Sequence, residues 1–330
     1  MSLIQPISIG NIVIEHPVIL APMTDVTDMP FRHLVKRHGA GLVISEMIAS
    51  QAMIRQTRQS MLMIQKSNIE SPMAVQLAGC EPEVVGEAAK LNEDMGAEII
   101  DINMGCPMKK VVNNYAGSAL MRDEVLAGKI LEATVRAVNV PVTLKMRMGW
   151  DDNSLNAPRL AKIAEESGIK MVTVHGRTRC QLYNGKANWP FIRQVKEAVK
   201  IPVIGNGDVV TLENAKELLE QSHADGVMIG RGAYGRPWFI NQVIHYLKDG
   251  TIVPDPTIHE QYIIVKEHFE AMIEHYGERT GMLLSRKHLG WYSKGLRNST
   301  DFRILINQEG EAENVREIIK RFFEEHLETS

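Results

Sequence analysis

Eight short apolar runs, rich in valine and isoleucine, recur along the chain, and each is followed by turn residues and then by a helical pattern. They are PVILAPM from residue 17, GLVISEM from 41, MAVQLAG from 73, EIIDINM from 98, PVTLKMR from 141, MVTVHGR from 171, IPVIGNGD from 201 and DGVMIGR from 225. Runs that stay apolar, rather than alternating, describe strands covered on both faces, as parallel strands are. The stretches between them, such as 82–95, 119–138, 158–167 and 212–221, carry the 3.6-residue spacing that lays one helix face on such a sheet. Eight such units predict an α/β fold, a (β/α)8 TIM barrel with its chemistry on the loops after the strands. A doubly wound sheet would more often use fewer strands and a glycine-rich first turn, whereas the first turn here, APMTDVTDMP, has no glycine.

At 330 residues the chain exceeds an ordinary barrel. KDGTIVPDPT at 248–257 clusters Gly and Pro and reads as a linker, and the residues beyond it are helical in pattern. The expected division is a barrel domain over 1–250 and a C-terminal all-helical domain over 256–330. At the other end, MSLIQPISIGNIVIEHP reads as a hairpin turning at Gly10-Asn11. It has no basic n-region, it carries Glu15 and His16 where a signal peptide is apolar, and no run in the chain has the length of a membrane span. Three widely spaced cysteines, Cys80, Cys106 and Cys180, form no CxxC pair and join no histidine cluster, which argues against a metal site and for a reducing, cytoplasmic location. A net charge of −3 gives no general basic field, so a polyanionic partner must meet a local patch.

The polar residues fall at the C-terminal ends of the expected strands, where a barrel carries its active site. Gln76 closes the third, Asn103 and Cys106 follow the fourth, Lys145 and Arg147 close the fifth, and His175 with Arg177 close the sixth. The loops after strands seven and eight, GNGD at 205–208 and GRGAYGRPW at 230–238, supply the glycines and arginines that suit a phosphate. Lys145, in an otherwise apolar strand, reads three ways: a Schiff-base nucleophile, a cation facing an electron-rich ligand such as a flavin, or a residue that merely ends the strand. A lone cysteine is most often a small buried hydrophobe. Cys106, however, sits in a polar turn between Asn103 and Lys109-Lys110, where a thiol can give or take a proton.

The segments APMTDVTDMPFR, VQLAGCEP, DINMGCPMKKV, VTLKMRMGW, HGRTRCQLYNGKANW, PVIGNGD and GVMIGRGAYGRPW resemble the tRNA-dihydrouridine synthases in order and spacing over about residues 1–240. DINMGCP followed by HGRTR carries most of that resemblance, and RKHLGWYSKG at 286–295 is similar to the B-type bacterial branch. The resemblance implies reduction of the C5–C6 double bond of particular tRNA uridines by FMN recharged by NADPH, with uridine 17 of the D-loop as the branch's target. It implies cofactor contacts at Pro22, Met23, Thr24, Gln76, Lys145, His175, Asn206, Gly207, Asp208, Gly230 and Arg231, Thr24 standing where many relatives have alanine. It makes Cys106 the acid that protonates C5 while hydride from flavin N5 reaches C6, and it places Asn103, Arg147, Arg177 and Tyr183 at the substrate.

The stretch 279–303 holds six basic residues against one acid, and Arg286, Lys287, Lys294 and Arg297 are the expected tRNA contacts, with Trp291 and Tyr292 interleaved. The chain is expected to act as a monomer. Three other readings remain open on residues alone: a flavin barrel acting on a free pyrimidine or small enone, an aldolase built on Lys145, and an RNA-binding protein without catalysis.

Overall fold

The computed structural model describes residues 2–65 and 67–327. A hairpin of β1 (Ile7–Ile9) and β2 (Ile12–Ile14) comes first, with Gly10 at a positive φ of 62° in its turn. Parallel strands come next: β3 (Val18–Leu20), β4 (Leu42–Ile44), a short β5 (Ile48–Ala49) beside β6 (Met73–Ala78), β7 (Ile99–Met104), β8 (Val142–Arg147), β9 (Val172–His175), β10 (Val203–Asn206) and β11 (Gly226–Ile229). β3 pairs with β4 and with β11, and β4 pairs with β6, so the ring closes as the eight apolar runs predict.

Successive side chains on a strand alternate between the two faces, and that parity decides the rest. Ile19, Leu42, Ile44, Ala74, Ile99, Ile204 and Met228 gather inside the ring with Ile7, Ile9 and Ile14 of the hairpin, which therefore stoppers the N-terminal end. The neighbours Val75, Ile100, Ile102, Val203 and Val227 face outward and pack under the helices. If Ile99 points inward, so do Asp101 and Asn103. If Ala74 and Ile204 do, so do Gln76 and Asn206. The register then sets Asp101 beside Gln76 and Thr143, Asn103 beside Lys145, and Arg147 beside His175. The floor of the barrel is apolar and its upper interior polar.

The expected helix over 119–138 is divided. A 3-10 turn covers Gly117–Arg122, and the α-helix Glu124–Ala137 starts after Asp123, whose side chain accepts from the Leu126 N–H and so caps a new start. Past Gly250 (φ 83°) the helices Ile258–Tyr276, Glu278–Tyr292, Ser299–Gln308 and Ala312–Leu327 form the appendage, the third showing no separate pattern in the sequence. Their apolar faces share a core that includes Phe269, Met282, Leu289, Phe302, Ile306, Ile319 and Phe323, and Trp238 enters it from the barrel side. Burying each such side chain contributes about 1.5–3 kcal/mol. The appendage touches the barrel at the rim of its open mouth: Tyr276 donates to Asp28 at 3.2 Å, and the Lys287 ammonium donates to the Asp25 carbonyl.

Candidate active site

The polar upper interior opens into a cavity of about 550 Å³, lined by Pro22, Met23, Thr24, Gln76, Asn103, Cys106, Lys145, Arg147, His175, Tyr183, Asn206, Gly207, Asp208, Gly230 and Arg231. Its size is that of a cofactor site. Residues spread over more than two hundred positions meet here because the strand ends are neighbours in the ring.

Cys106 lies on the wall after β7, in a turn held from three directions. Asn103 Oδ1 accepts from the N–H of Gly105 at 3.1 Å and of Cys106 at 2.9 Å. The Cys106 carbonyl accepts from Ser118 Oγ at 2.8 Å, and that of Gly105 from Arg147 Nε at 2.8 Å. Burial pushes the thiol pKa up, while the Arg147 and Lys145 charges pull against it. The sulfur therefore carries its proton at neutral pH, as an acid must before it acts.

Two cations, Lys145 and Arg147, face the cavity without matching anions, and a neutral imidazole stands beside them. The Lys145 ammonium has one hydrogen bond, to Asn206 Oδ1 at 3.3 Å, and no ion pair among the described residues. Desolvation lowers its pKa to about 8, Arg147 adding to the fall and Asp101 opposing it. Arg147 spends its Nε and Nη1 on the carbonyls of Gly105, Thr178 and Leu182, and burial lowers it to about 10, so it stays charged. His175 is held well below its usual range by burial and then by Arg147 and Lys145, so the ring is neutral and offers one donor and one acceptor. Such a set favours an electron-rich, anionic occupant.

At the opposite wall, Gly207 adopts φ +118°, and a Cβ there would come within 2.8 Å of the His175 ring and of Ala187, so only glycine lets this loop pass. Asp208 is neutralised beside it. Arg177 grips it with Nη1 at 2.9 Å and Nη2 at 2.6 Å, and Arg231 reaches it at 3.3 Å. The remaining Arg177 donors go to the carbonyls of Asn184 and Gly185, and Nη1 also lies 3.4 Å from His175 Nε2. Arg177 is thus buried with its guanidinium committed, and it stands behind the cavity wall, not on it, in contrast to the substrate contact expected from the sequence. Arg231 and Arg147 lie over the exposed Tyr183 ring, at 5.0 and 5.6 Å.

The appendage residues are placed differently from one another. Arg286 donates to the Glu309 carbonyl at 2.6 Å and so ties two appendage helices together, whereas Lys287 is occupied at Asp25 and contributes to the junction with the barrel; Lys294 and Arg297 are exposed. Tyr292 is buried and its hydroxyl meets His268 Nδ1 at 3.0 Å. Trp291 lies parallel to Tyr234, with 4.0 Å between centroids and 11° between planes. These aromatics are packing residues and do not face outward between the basic side chains. Tyr234 itself, with Met47, Met108 and Val210, lines the cavity. In sequence only the glycines and arginines of its loop point to a site, and nothing polar singles out the others.

Among the described residues no group of three or more His, Cys, Asp or Glu could hold a metal ion, and no helix is long and apolar enough to cross a membrane. A family model described as dihydrouridine synthase (Dus) matches residues 19–327. The chain is 62% identical over 321 residues to a probable tRNA-dihydrouridine synthase of Rickettsia bellii, covering 96% of this chain and 98% of that protein. It is 45% identical to tRNA-dihydrouridine synthase B of Pseudomonas aeruginosa, covering 97% and 96%. Among solved structures, morphinone reductase superposes with a TM-score of 0.55 at 15% identity, over 79% of this chain and 94% of that one. An old yellow enzyme homologue from Zymomonas mobilis gives 0.52 at 14%, over 79% and 96%. At such identities these two likenesses speak for the barrel alone.

Proposed function

The chain belongs to the dihydrouridine synthase family, and on that premise we propose how its cavity carries out the flavin-dependent reduction of tRNA uridines to 5,6-dihydrouridine. Membership sets aside the aldolase and free-pyrimidine readings. The cavity fits FMN in its chemistry: a half-buried ammonium without an anion, a neutral imidazole and two glycine loops, with Arg231 of the second reaching Asp208 of the first. Lys145, His175, Gln76 and Asn206 would hold the ring system, and the loops at 205–208 and 230–233 the phosphate. FMN, itself reduced by NADPH, supplies a hydride to C6 of the uracil.

The chain's own residues supply what remains. Negative charge builds on C5 and O4 as the hydride arrives, and Cys106 delivers a proton to C5 from the wall after β7, a step that positioned acids accelerate by about 10²–10⁴-fold. The second hydrogen of Asn103 Nδ2 and the Arg147 guanidinium are the donors for the uracil oxygens. Tyr183, exposed at the mouth under two guanidinium groups, offers a face on which an extruded base can lie. Lys294, Arg297 and the rim of the mouth take the body of the tRNA, and likeness to B-type relatives favours uridine 17 as the target.

One observation carries this reading: a protonated thiol and an unpaired ammonium face the same cavity. Cys106→Ala should retain flavin, NADPH oxidation by an artificial acceptor and tRNA binding, yet form dihydrouridine at least about 10²-fold more slowly. Mapping dihydrouridine in tRNA from cells without their own synthases reads both the rate and the position. Wild-type formation by this variant would remove Cys106 from the mechanism.

A further inference from the structure

The buried carboxylate of Asp101 takes no part in the chemistry above, yet it begins a one-way chain of hydrogen bonds that ends at the thiol turn. Asp101 lies two residues before Asn103 on β7, points into the barrel and is wholly screened from solvent. Its Oδ1 accepts from Thr143 Oγ1 at 2.6 Å and its Oδ2 from Gln76 Nε2 at 2.7 Å. Gln76 Oε1 accepts from Asn103 Nδ2 at 2.8 Å. Asn103 Oδ1 then accepts from the N–H groups of Gly105 and Cys106. Gln76 and Thr143 are the direct register partners of Asp101 on the two neighbouring strands, so this row is built into the sheet and not into loops.

Only the first member of the row has a fixed polarity. A primary amide can turn end for end with almost no change of shape, because its oxygen and nitrogen are nearly the same size; a carboxylate can only accept. Asp101 therefore requires the Gln76 nitrogen to face it, which turns the Gln76 oxygen toward Asn103. That in turn requires the Asn103 nitrogen to face Gln76 and leaves its oxygen for the turn. Turning Gln76 alone sets its oxygen against the carboxylate and its nitrogen against that of Asn103, and turning Asn103 takes the acceptor from the N–H groups of Gly105 and Cys106. Burial raises the Asp101 pKa, and the bonds from Gln76 and Thr143 and the nearby Lys145 charge oppose that rise by favouring the ionised form.

We propose that Asp101 is a positioning residue for the reaction: by fixing the orientation of the Gln76 and Asn103 amides it sets the direction in which the Cys106 thiol faces the cavity. The proposal rests on Cys106 being the proton donor. Asp101→Asn keeps the shape and abolishes the polarity, so both amides become free to turn. Its kcat should fall on the order of 10²-fold, the cost of about an ångström of misplacement, while the KM for tRNA and the retention of FMN stay within about twofold. Iodoacetamide should label Cys106, followed by peptide mapping, several-fold faster than in the wild type, since the turn has lost its anchor. Thr143→Val, which removes one bond and leaves the polarity intact, should keep both kcat and labelling within about threefold of wild type. Unchanged labelling of Cys106 in Asp101→Asn overturns the proposal, and so does loss of FMN in step with turnover, which would mean that Asp101 acts through Lys145. Should Asp101→Asn not fold, Gln76→Met cuts the row one link later and carries the same expectation for labelling. Labelling is read without turnover, so an active Cys106→Ala would count against the proton donor while leaving the row itself to be judged separately.

Discussion

Removing the indole of Trp291 asks whether the helical appendage is a wall of the cofactor site or only a handle for RNA. Tyr234 lines the cavity immediately after the Gly230–Ala233 segment, and its ring is stacked on Trp291 of the Glu278–Tyr292 helix at 4.0 Å. A stacked aromatic pair contributes about 0.5–1.5 kcal/mol beyond its area burial. Here the pair spans the loop and the appendage, so its loss releases the loop by that amount. For a ligand that needs the loop in place, this corresponds to roughly a 2- to 12-fold weaker affinity. The effect stays at that scale because a second contact survives: Gly235, at φ +67°, lies so close that a Cβ would come within 2.4 Å of the Trp291 carbonyl oxygen. Trp291→Ala and Trp291→Phe, stripped of cofactor, can be titrated with FMN by the quenching of flavin fluorescence, and tRNA affinity measured in parallel by filter binding. The alanine variant should bind FMN about fivefold more weakly, phenylalanine should restore most of that, and tRNA affinity should stay within about twofold. Unaltered FMN affinity together with weakened tRNA binding would refute the reasoning and return Trp291 to the RNA.

Charge reversal at Lys294 and Arg297, both exposed, should weaken tRNA binding and lower the slope of log K against log salt by about one to two units without affecting flavin reduction; an unchanged slope would rule out this docking face. Reversal at Arg286 and Lys287 is a poorer test, since the bond to Glu309 braces the appendage internally and the bond to Asp25 holds it to the barrel. Asp28, wedged between the Phe31 N–H and the Tyr276 hydroxyl, has its pKa raised to about 6, chiefly by burial. A carboxyl whose pKa is higher folded than unfolded binds its proton more tightly in the folded state, so its contribution is full below about pH 4 and is lost as pH rises past about 6. Asp28→Asn still accepts from the Phe31 N–H and does not titrate. Its thermal stability relative to wild type should improve between pH 5 and pH 8 by about 1.4 kcal/mol, for the one pH unit between pH 5 and the folded pKa. Glu46, raised to about 7 mainly by burial with the Asp28 charge adding to the rise, titrates in both proteins but lower in the variant, and a difference that is flat with pH would contradict the assignment.

The ring was legible because buried parallel strands have no polar face to show, so each wrote itself as an apolar run. The same uniformity made the exceptions visible: Asn103 on β7, and Lys145 and Arg147 on β8, break their runs at spacings of two and so had to share the inner face. Arg177 looked like Arg147 in one dimension, each being a basic residue at a strand end. What separates them is that β9 stops at His175, leaving Arg177 in a loop that turns it onto Asp208, thirty-one residues away. The partners of Arg286 and Lys287 are backbone carbonyls, which no pattern of side chains announces. Trp291 and Tyr292 read equally well as core or as RNA contacts, and the choice was made by a tyrosine on the far side of the junction.

The isoleucines at the foot of the barrel also decide how the two substrates meet the cofactor. With Ile7, Ile9 and Ile14 sealing the floor, the chamber opens at the other end of the barrel, the side that the proposed function gives to the RNA. On the function proposed, a nicotinamide and an extruded base that both need the same flavin would come and go in succession. The catalytic cycle becomes a matter of taking turns, and whichever visitor lingers shuts the other out.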